Sequence, residues 1–173
     1  LHIPRTQIVN MSDVKNLESF IFPRKESVRV LIGKYPEFKD KPTDFIRRVD
    51  RYNLIEQEDF LTSLPKTIID RTGLDLWTLI RRMVWRVSPT PIRLLSQTHE
   101  EPLDLWKLNR TSLVQLLEEK GYEQIAENYQ DYYYEGWLAF LDGFSNSDNM
   151  RRIISLGFEI IKDCIYEVKK IGI

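Results

Sequence analysis

The sequence predicts an all-α protein built as two small antiparallel helical bundles packed in tandem. Three observations carry that expectation. Apolar residues recur at three- and four-residue spacing along most of the chain, the signature of amphipathic helices. The periodic runs are short and end at glycine or proline, as helices in a bundle do. Near the middle, Ser88-Pro89-Thr90-Pro91 sets two prolines two residues apart, which removes backbone donors and turns the preceding residues away from helix. That break marks the expected boundary between a first module, residues 1–87, and a second, residues 88–173.

The elements follow in order. Val28–Ile32 is the best strand candidate, although its charged neighbours suit a helix equally well. Thr43 or Asp44 can cap a helix whose inner face is Phe45, Val49 and Tyr52. Leu54-Ile55 closes it. Glu56-Gln57-Glu58-Asp59 then brings acid to the first turn of the next helix, where the dipole favours it. That helix carries Phe60, Leu61, Leu64 and Ile68, with Pro65 expected to kink it or delay its start. Gly73 separates it from a helix over 74–85 that turns Leu76, Leu79, Ile80 and Met83 inward.

In the second half, Thr111 is the expected cap of a helix that runs to Lys120, with Leu113, Leu116 and Leu117 apolar and Gly121 as its stop. Tyr122 to Phe144 reads as an aromatic helix, with a bend expected at Gly136. From Ser147 to Lys170, Met150, Ile154, Phe158, Ile161, Ile165 and Val168 keep helical spacing across Gly157.

Composition narrows the function classes. With 173 residues, 42% hydrophobic and 29% charged, the chain suits a globular protein and not a disordered one. No apolar run approaches membrane-spanning length. The lone Cys164 excludes an internal disulfide framework and reads as a buried small hydrophobe. The opening residues show no charged-then-apolar leader, so the expected location is cytoplasmic. Net charge is −1 but unevenly spread: residues 1–87 carry 16 Lys/Arg against 12 Asp/Glu, and residues 88–173 carry 9 against 14. A basic half and an acidic half are what one copy would need to dock on another.

Chemistry is sparse. His2 and His99 have no partner at metal-ligand spacing, so no metal site, cofactor or catalytic residue is expected. No phosphate-cradling glycine loop or nucleophile elbow is present. Ser88-Pro and Thr90-Pro match the short pattern of proline-directed kinases. Arg47/Arg48 and Arg81/Arg82 could serve a nucleic acid or a protein partner. The tyrosine run Tyr129, Tyr132, Tyr133 and Tyr134 with Trp137 offers rings for stacking, yet its own acidic residues repel phosphate.

One stretch is more specific. Asp44-Phe-Ile-Arg-Arg-Val-Asp-Arg-Tyr-Asn-Leu-Ile-Glu-Gln-Glu-Asp-Phe-Leu, followed by Asp70-Arg-Thr-Gly-Leu-Asp-Leu-Trp77, resembles the later helices of death-effector domains. Upstream, Leu17-Glu-Ser-Phe-Ile-Phe22 looks like the apolar patch of that family's second helix, so the likeness covers roughly residues 12–84. Arg71 and Asp75 stand four apart where the family's Arg-x-Asp-Leu motif sets them two apart. Leu113-Val-Gln-Leu-Leu-Glu-Glu-Lys-Gly-Tyr-Glu-Gln-Ile-Ala126 is similar to late death-domain helices, and Glu135-Gly-Trp-Leu-Ala-Phe-Leu141 to a helix of caspase-recruitment domains.

The resemblance implies a non-enzymatic adaptor of the death-fold superfamily that recruits protein partners, itself included, in apoptotic or innate-immune signalling. The expected contact residues are Arg71 with Asp75 as a charged pair, Glu56 and Glu58 as an acidic helix end, and Phe20 with Ile21 as an apolar anchor. The alternative is a helical subdomain of a viral or retroelement nucleic-acid machine, either polymerase or capsid.

Overall fold

The computed structural model describes residues 29–34 and 41–172, and the chain separates into two units, residues 1–42 and 43–173. In the first unit, residues 29–34 form neither helix nor strand, so the described part of Val28–Ile32 is not the strand candidate the sequence offered. Leu31 and Ile32 are exposed there.

The second unit is all helix among its described residues. Its elements are α1 (Thr43–Ile55), α2 (Gln57–Ile68), α3 (Gly73–Val87), α4 (Thr90–Leu95), a 3-10 turn (Pro102–Lys107), α5 (Arg110–Glu119), α6 (Glu123–Leu141) and α7 (Ser147–Lys170). None of them is long and apolar enough to cross a membrane.

The α7 helix is the spine. It buries Met150, Ile153, Ile154, Gly157, Ile160, Ile161, Cys164, Ile165 and Val168 as one continuous stripe, and leaves Asp148, Arg152, Ser155, Lys162 and Tyr166 exposed on the other side. Helices α6 and α3 lie along it most extensively, and α4, α2 and α1 pack on it as well. Its ends are built for its length. Asn146 Oδ1 accepts from the backbone N–H groups of Asp148 at 2.9 Å and Asn149 at 3.2 Å. Lys169 and Lys170 stand in the last turn, where the dipole favours cations.

The remaining helices have equally local causes. In α5 the cap is Asn109, whose Oδ1 accepts from Ser112 N at 2.9 Å; Thr111, the expected cap, already lies inside the helix. At its other end Gly121 adopts φ +79°, which lets Gly121 N reach Glu118 O and Tyr122 N reach Leu117 O, both at 2.9 Å. That paired closure turns the chain straight into α6. Pro65 is accommodated within α2, which continues to Ile68. At that helix end Ile68 O accepts from Arg71 N at 3.2 Å, and Arg151 of α7 ties the same turn down by donating through Nη1 to Ile68 O at 3.2 Å and through Nη2 to Arg71 O at 2.8 Å.

Two sequence expectations need correction. One core cluster draws on Leu54, Leu76, Met83 and Val87 before residue 88 and on Leu94, Leu117, Tyr132 and Ile161 after it. The unit boundary lies at Pro42/Thr43, and among the described residues of the second unit one core runs through position 88. The Ser88–Pro91 stretch is a tight corner inside that single core. Proline is tolerated in the first turn of α4, so Thr90 and Pro91 start a short helix and are both buried. Thr90 is therefore shielded from a kinase.

The second correction concerns α1. Its buried residues are Ile46, Asp50 and Leu54, while Tyr52 is 67% exposed and Phe45 and Val49 sit half-buried at the flank. Asp50 stands on the inner line, so a hydrophobicity pattern steps around it.

Spacing of α3, α6 and α7 is set at Gly157. A Cβ there would lie 2.6 Å from Met83 Cε, 3.0 Å from Tyr132 Cε2 and 3.1 Å from Val87 Cγ2. Gly136, where the bend was expected, lies within the continuous α6, and a Cβ there meets nothing within 4 Å. Overpacking costs about 1–3 kcal/mol and a helical glycine gives away about 0.5–1 kcal/mol of propensity, so the two sites should respond with opposite sign. Gly157→Val is expected to lower stability and Gly136→Ala to raise it slightly, both read from urea unfolding midpoints at unchanged m-value. Equal loss at both positions would contradict the packing account.

Candidate functional site

The chemistry-bearing side chains converge where α4 crosses α1 and the start of α2. Gln57 Nε2 donates to Thr90 Oγ1 at 3.1 Å, and that hydroxyl donates to Arg86 O at 2.7 Å. Arg47 donates through Nε to Ser96 O at 3.2 Å and through Nη2 to His99 O at 2.9 Å. Gln97 Nε2 returns the favour to Arg47 O at 3.1 Å. These bonds satisfy backbone carbonyls at the frayed end of the very short α4 and tie it to α1. They make a polar seam beside the apolar core.

Two charged groups lie in the seam. Burial pushes the Asp50 carboxyl up to about 6 from the usual 3.8, held down only in part by the Ser96 hydroxyl and the Arg93 charge. Arg93 is lowered by its own burial, offset in part by Asp50 and Glu56. Its Nη1 reaches Asn53 O at 3.3 Å, and its Nε has no acceptor among the described residues.

Outside the seam, three grooves open around Trp85, which is 80% exposed. The largest, about 950 Å³, runs between α3, α4, the 3-10 turn and α5 and is lined by Trp85, Arg93, Trp106, Leu108, Arg110 and Tyr129. A polar one of about 560 Å³ includes Glu56, Asp59, Arg86 and Arg93. A third, of about 520 Å³, lies between α2 and α3 beside Phe60, Arg82 and Arg86.

Several arginines here are held on aromatic rings. The Arg81 guanidinium lies 4.6 Å from the Trp77 centroid, Arg86 lies 4.3 Å from Phe60, and Arg110 lies 3.6 Å from Tyr133. Such a seat fixes the plane of the guanidinium and leaves its N–H edge to bind an oxyanion. Among the described residues none of Arg81, Arg82, Arg86, Arg93 and Arg110 has a carboxylate within ion-pair distance.

The predicted contact residues do not form one surface. Glu56 is exposed in the turn between α1 and α2 and lines the polar groove. Glu58 is ion-paired with Lys169 of α7, an exposed bridge worth at most about 1 kcal/mol. Arg71 stands before α3, not on it, so it cannot make a helical pair with Asp75 in the first turn, and no ion pair joins them. The length of α2, about 18 Å for 12 residues, separates Glu56 and Glu58 from Arg71 and Asp75. Phe20 and Ile21 lie outside the described residues.

Elsewhere, His99 is half-buried with Nδ1 accepting from Glu101 N at 3.3 Å, and Cys164 is fully buried, which pushes its thiol up. Among the described residues no group of three His, Cys, Asp or Glu side chains converges as metal ligands would. Comparison with protein-family models, curated proteins and solved structures finds no match.

The seam yields a pH prediction with a definite sign. A folded pKa above the unfolded one means the folded state holds the proton more tightly. Asp50 therefore costs nothing below about pH 4, and its penalty grows to about 3 kcal/mol as pH rises through 6. Asp50→Asn is expected to be more stable than the parent at pH 7, with the margin vanishing toward pH 4, measured by urea unfolding across that range. A variant less stable at pH 7 would mean that the attraction of Arg93 outweighs burial.

Proposed function

We propose that the protein is a non-enzymatic helical adaptor that works through protein contacts, including contacts between its own copies. The observation that carries this reading is a separation of unpaired charge within one compact unit. Arg81, Arg82 and Arg86 are exposed on α3, two of them seated on rings. Glu118 and Glu119 at the end of α5 and Glu123 at the start of α6 are exposed on the opposite sign's side of the ledger. Helix α3 lies along α7, whereas α5 packs on α6 and α4, so the arginines and the glutamates belong to different parts of the unit.

A basic face that meets an acidic corner is a heterologous contact. It leaves the same two surfaces free at the ends of any dimer and so can propagate. The death-effector-like stretch over residues 12–84 supports a place in cytoplasmic apoptotic or innate-immune signalling, where like-with-like contacts recruit partners. The contact residues in this proposal are the α3 arginines. The four first expected on the described chain are split by α2, and Glu58 is occupied by Lys169.

Light scattering coupled to size-exclusion chromatography tests it. The mass is expected to rise with protein concentration at about 0.05 M salt and to fall to that of a monomer at about 0.5 M, where the Debye length is only a few Å. Arg82→Glu with Arg86→Glu should abolish association, and mixing that variant with Glu118→Arg/Glu119→Arg protein should restore a pair. A monomer under every condition removes the homotypic reading.

A further inference from the structure

We propose that the groove between α3, α4, the 3-10 turn and α5 binds single-stranded nucleic acid, with bases stacked on Trp85 and Trp106 and phosphates held by Arg93 and Arg110. This function goes beyond the homotypic contact: its site is Trp85, Trp106, Arg93 and Arg110, on a face that adjoins the α3 arginines of that contact.

The lining of the groove selects the ligand. Among the described residues its charged lining is Arg93 and Arg110, with no carboxylate. Its two tryptophans are 80% and 47% exposed, a large apolar area for a protein to leave in water. Exposed indole rings beside unpaired guanidinium groups are the two components that hold an unpaired strand, because every base has a π-face and every linkage a negative charge. An acidic peptide would answer the arginines but has no general use for two ring faces. A duplex would answer the arginines too, yet its bases are already stacked on one another.

The arginines are prepared for the task. Tyr133 holds the Arg110 plane at 3.6 Å, so its N–H edge is presented without loss of much side-chain freedom. Arg93 is anchored through Nη1 on Asn53 O at 3.3 Å and has no carboxylate within ion-pair distance among the described residues, and its neighbour Asp50 has its negative charge opposed by burial. The track has a direction. Beyond Trp85, the groove beside α2 continues with Arg82 and Arg86 and, among the described residues, again no carboxylate, whereas Glu56 and Asp59 mark the polar wall that a phosphate would avoid.

The sequence run that first suggested base stacking is not the one that carries it. Tyr132 is buried, and Tyr134 and Trp137 are exposed on the acidic α6. Only Tyr129 of that run lines the groove, with its hydroxyl turned to Ser88 O at 3.4 Å.

The experiment is a fluorescence-anisotropy titration of the full chain into labelled oligothymidylate, at protein concentrations where light scattering shows a monomer. Binding is expected to weaken with salt at a slope of about −0.7 per phosphate held, hence about −1.4 for Arg93 and Arg110 and about −2.8 if Arg82 and Arg86 join. Trp106→Ala should weaken it by about 5- to 150-fold, the usual loss for one stacked base. Arg110→Gln, at an exposed position that leaves the fold intact, should reduce the slope by about 0.7. Thermal melting of both variants confirms folding. No binding at about 0.05 M salt overturns the proposal. So does equal competition by polyglutamate or by duplex DNA, or an affinity that ignores both substitutions. A homotypic contact that fails while oligothymidylate binds would leave this site standing, and the reverse outcome would leave only the adaptor.

Discussion

The close crossing at Gly157 governs the geometry of the helical unit. With no side chain at that point, α7 approaches Met83 and Val87 of α3 and Tyr132 of α6 within contact distance of its backbone. Everything that lies on the outer sides of those helices takes its position from there. Trp85 and Arg86 follow Met83 on the same helix, and Tyr133 follows Tyr132. The ring that seats Arg110 and the ring that lines three grooves are thus placed by one packed contact in the core. Because interiors are close-packed, a shift at the crossing is passed to both surfaces and is not absorbed by slack.

A second constraint acts at right angles to the first. Helix α4 has only six residues, too few to hold itself by internal hydrogen bonds, and it starts on a proline corner. The side chains of Gln57, Arg47 and Gln97 supply what the backbone of α4 cannot. Asp50 is the cost of this solution, since a carboxyl on the inner line of α1 loses its hydration and regains only part of it from Ser96 and Arg93. A hydrophobic residue at that place would pack at least as well. What it would not do is hold the potential around Arg93, whose charge is favoured by Asp50 and Glu56 and opposed by Arg86.

Much of the architecture was legible in the residues, and where legibility failed the reasons are physical. The inward set Leu76, Leu79, Ile80 and Met83 is buried as expected, because α3 has a clean three-and-four spacing and no buried polar group. The long run from Met150 to Val168 is one helix through Gly157, since tertiary packing decides a residue that propensity alone marks as a break. The inner face of α1 was misplaced because burial of Asp50 depends on Ser96 and Arg93, more than forty residues away in sequence. The break at 88–91 was real, but a proline pair only says that the chain turns. Whether it turns inside a core or between two cores depends on what covers it, and here Ile92, Leu94 and Leu95 carry it into the interior. The site was the least legible part. Trp85 and Trp106 are 21 positions apart, and no local pattern reports that two rings share a groove.

The aromatic residues sort by what their faces meet. Trp77 stands edge-on to Phe144 at 6.1 Å, Phe144 edge-on to Phe140 at 6.4 Å, and Phe140 stacks with Trp137 at 5.6 Å, so these rings touch one another while Trp137 and Phe140 stay more than half exposed beside the acids of α6. Tyr129, Tyr132 and Tyr133 form a second group edge to face at 5.1 and 5.3 Å. Neither group includes Trp85 or Trp106. An exposed ring beside Asp131, Glu135 and Asp142 meets a negative charge that repels phosphate, whereas an exposed indole beside an unpaired arginine gains most when a partner brings both a flat ring and a negative charge. That difference in what is left unsatisfied, more than the number of rings, is the physical reason to look for recognition in the groove around Trp85 and not along the outer face of α6.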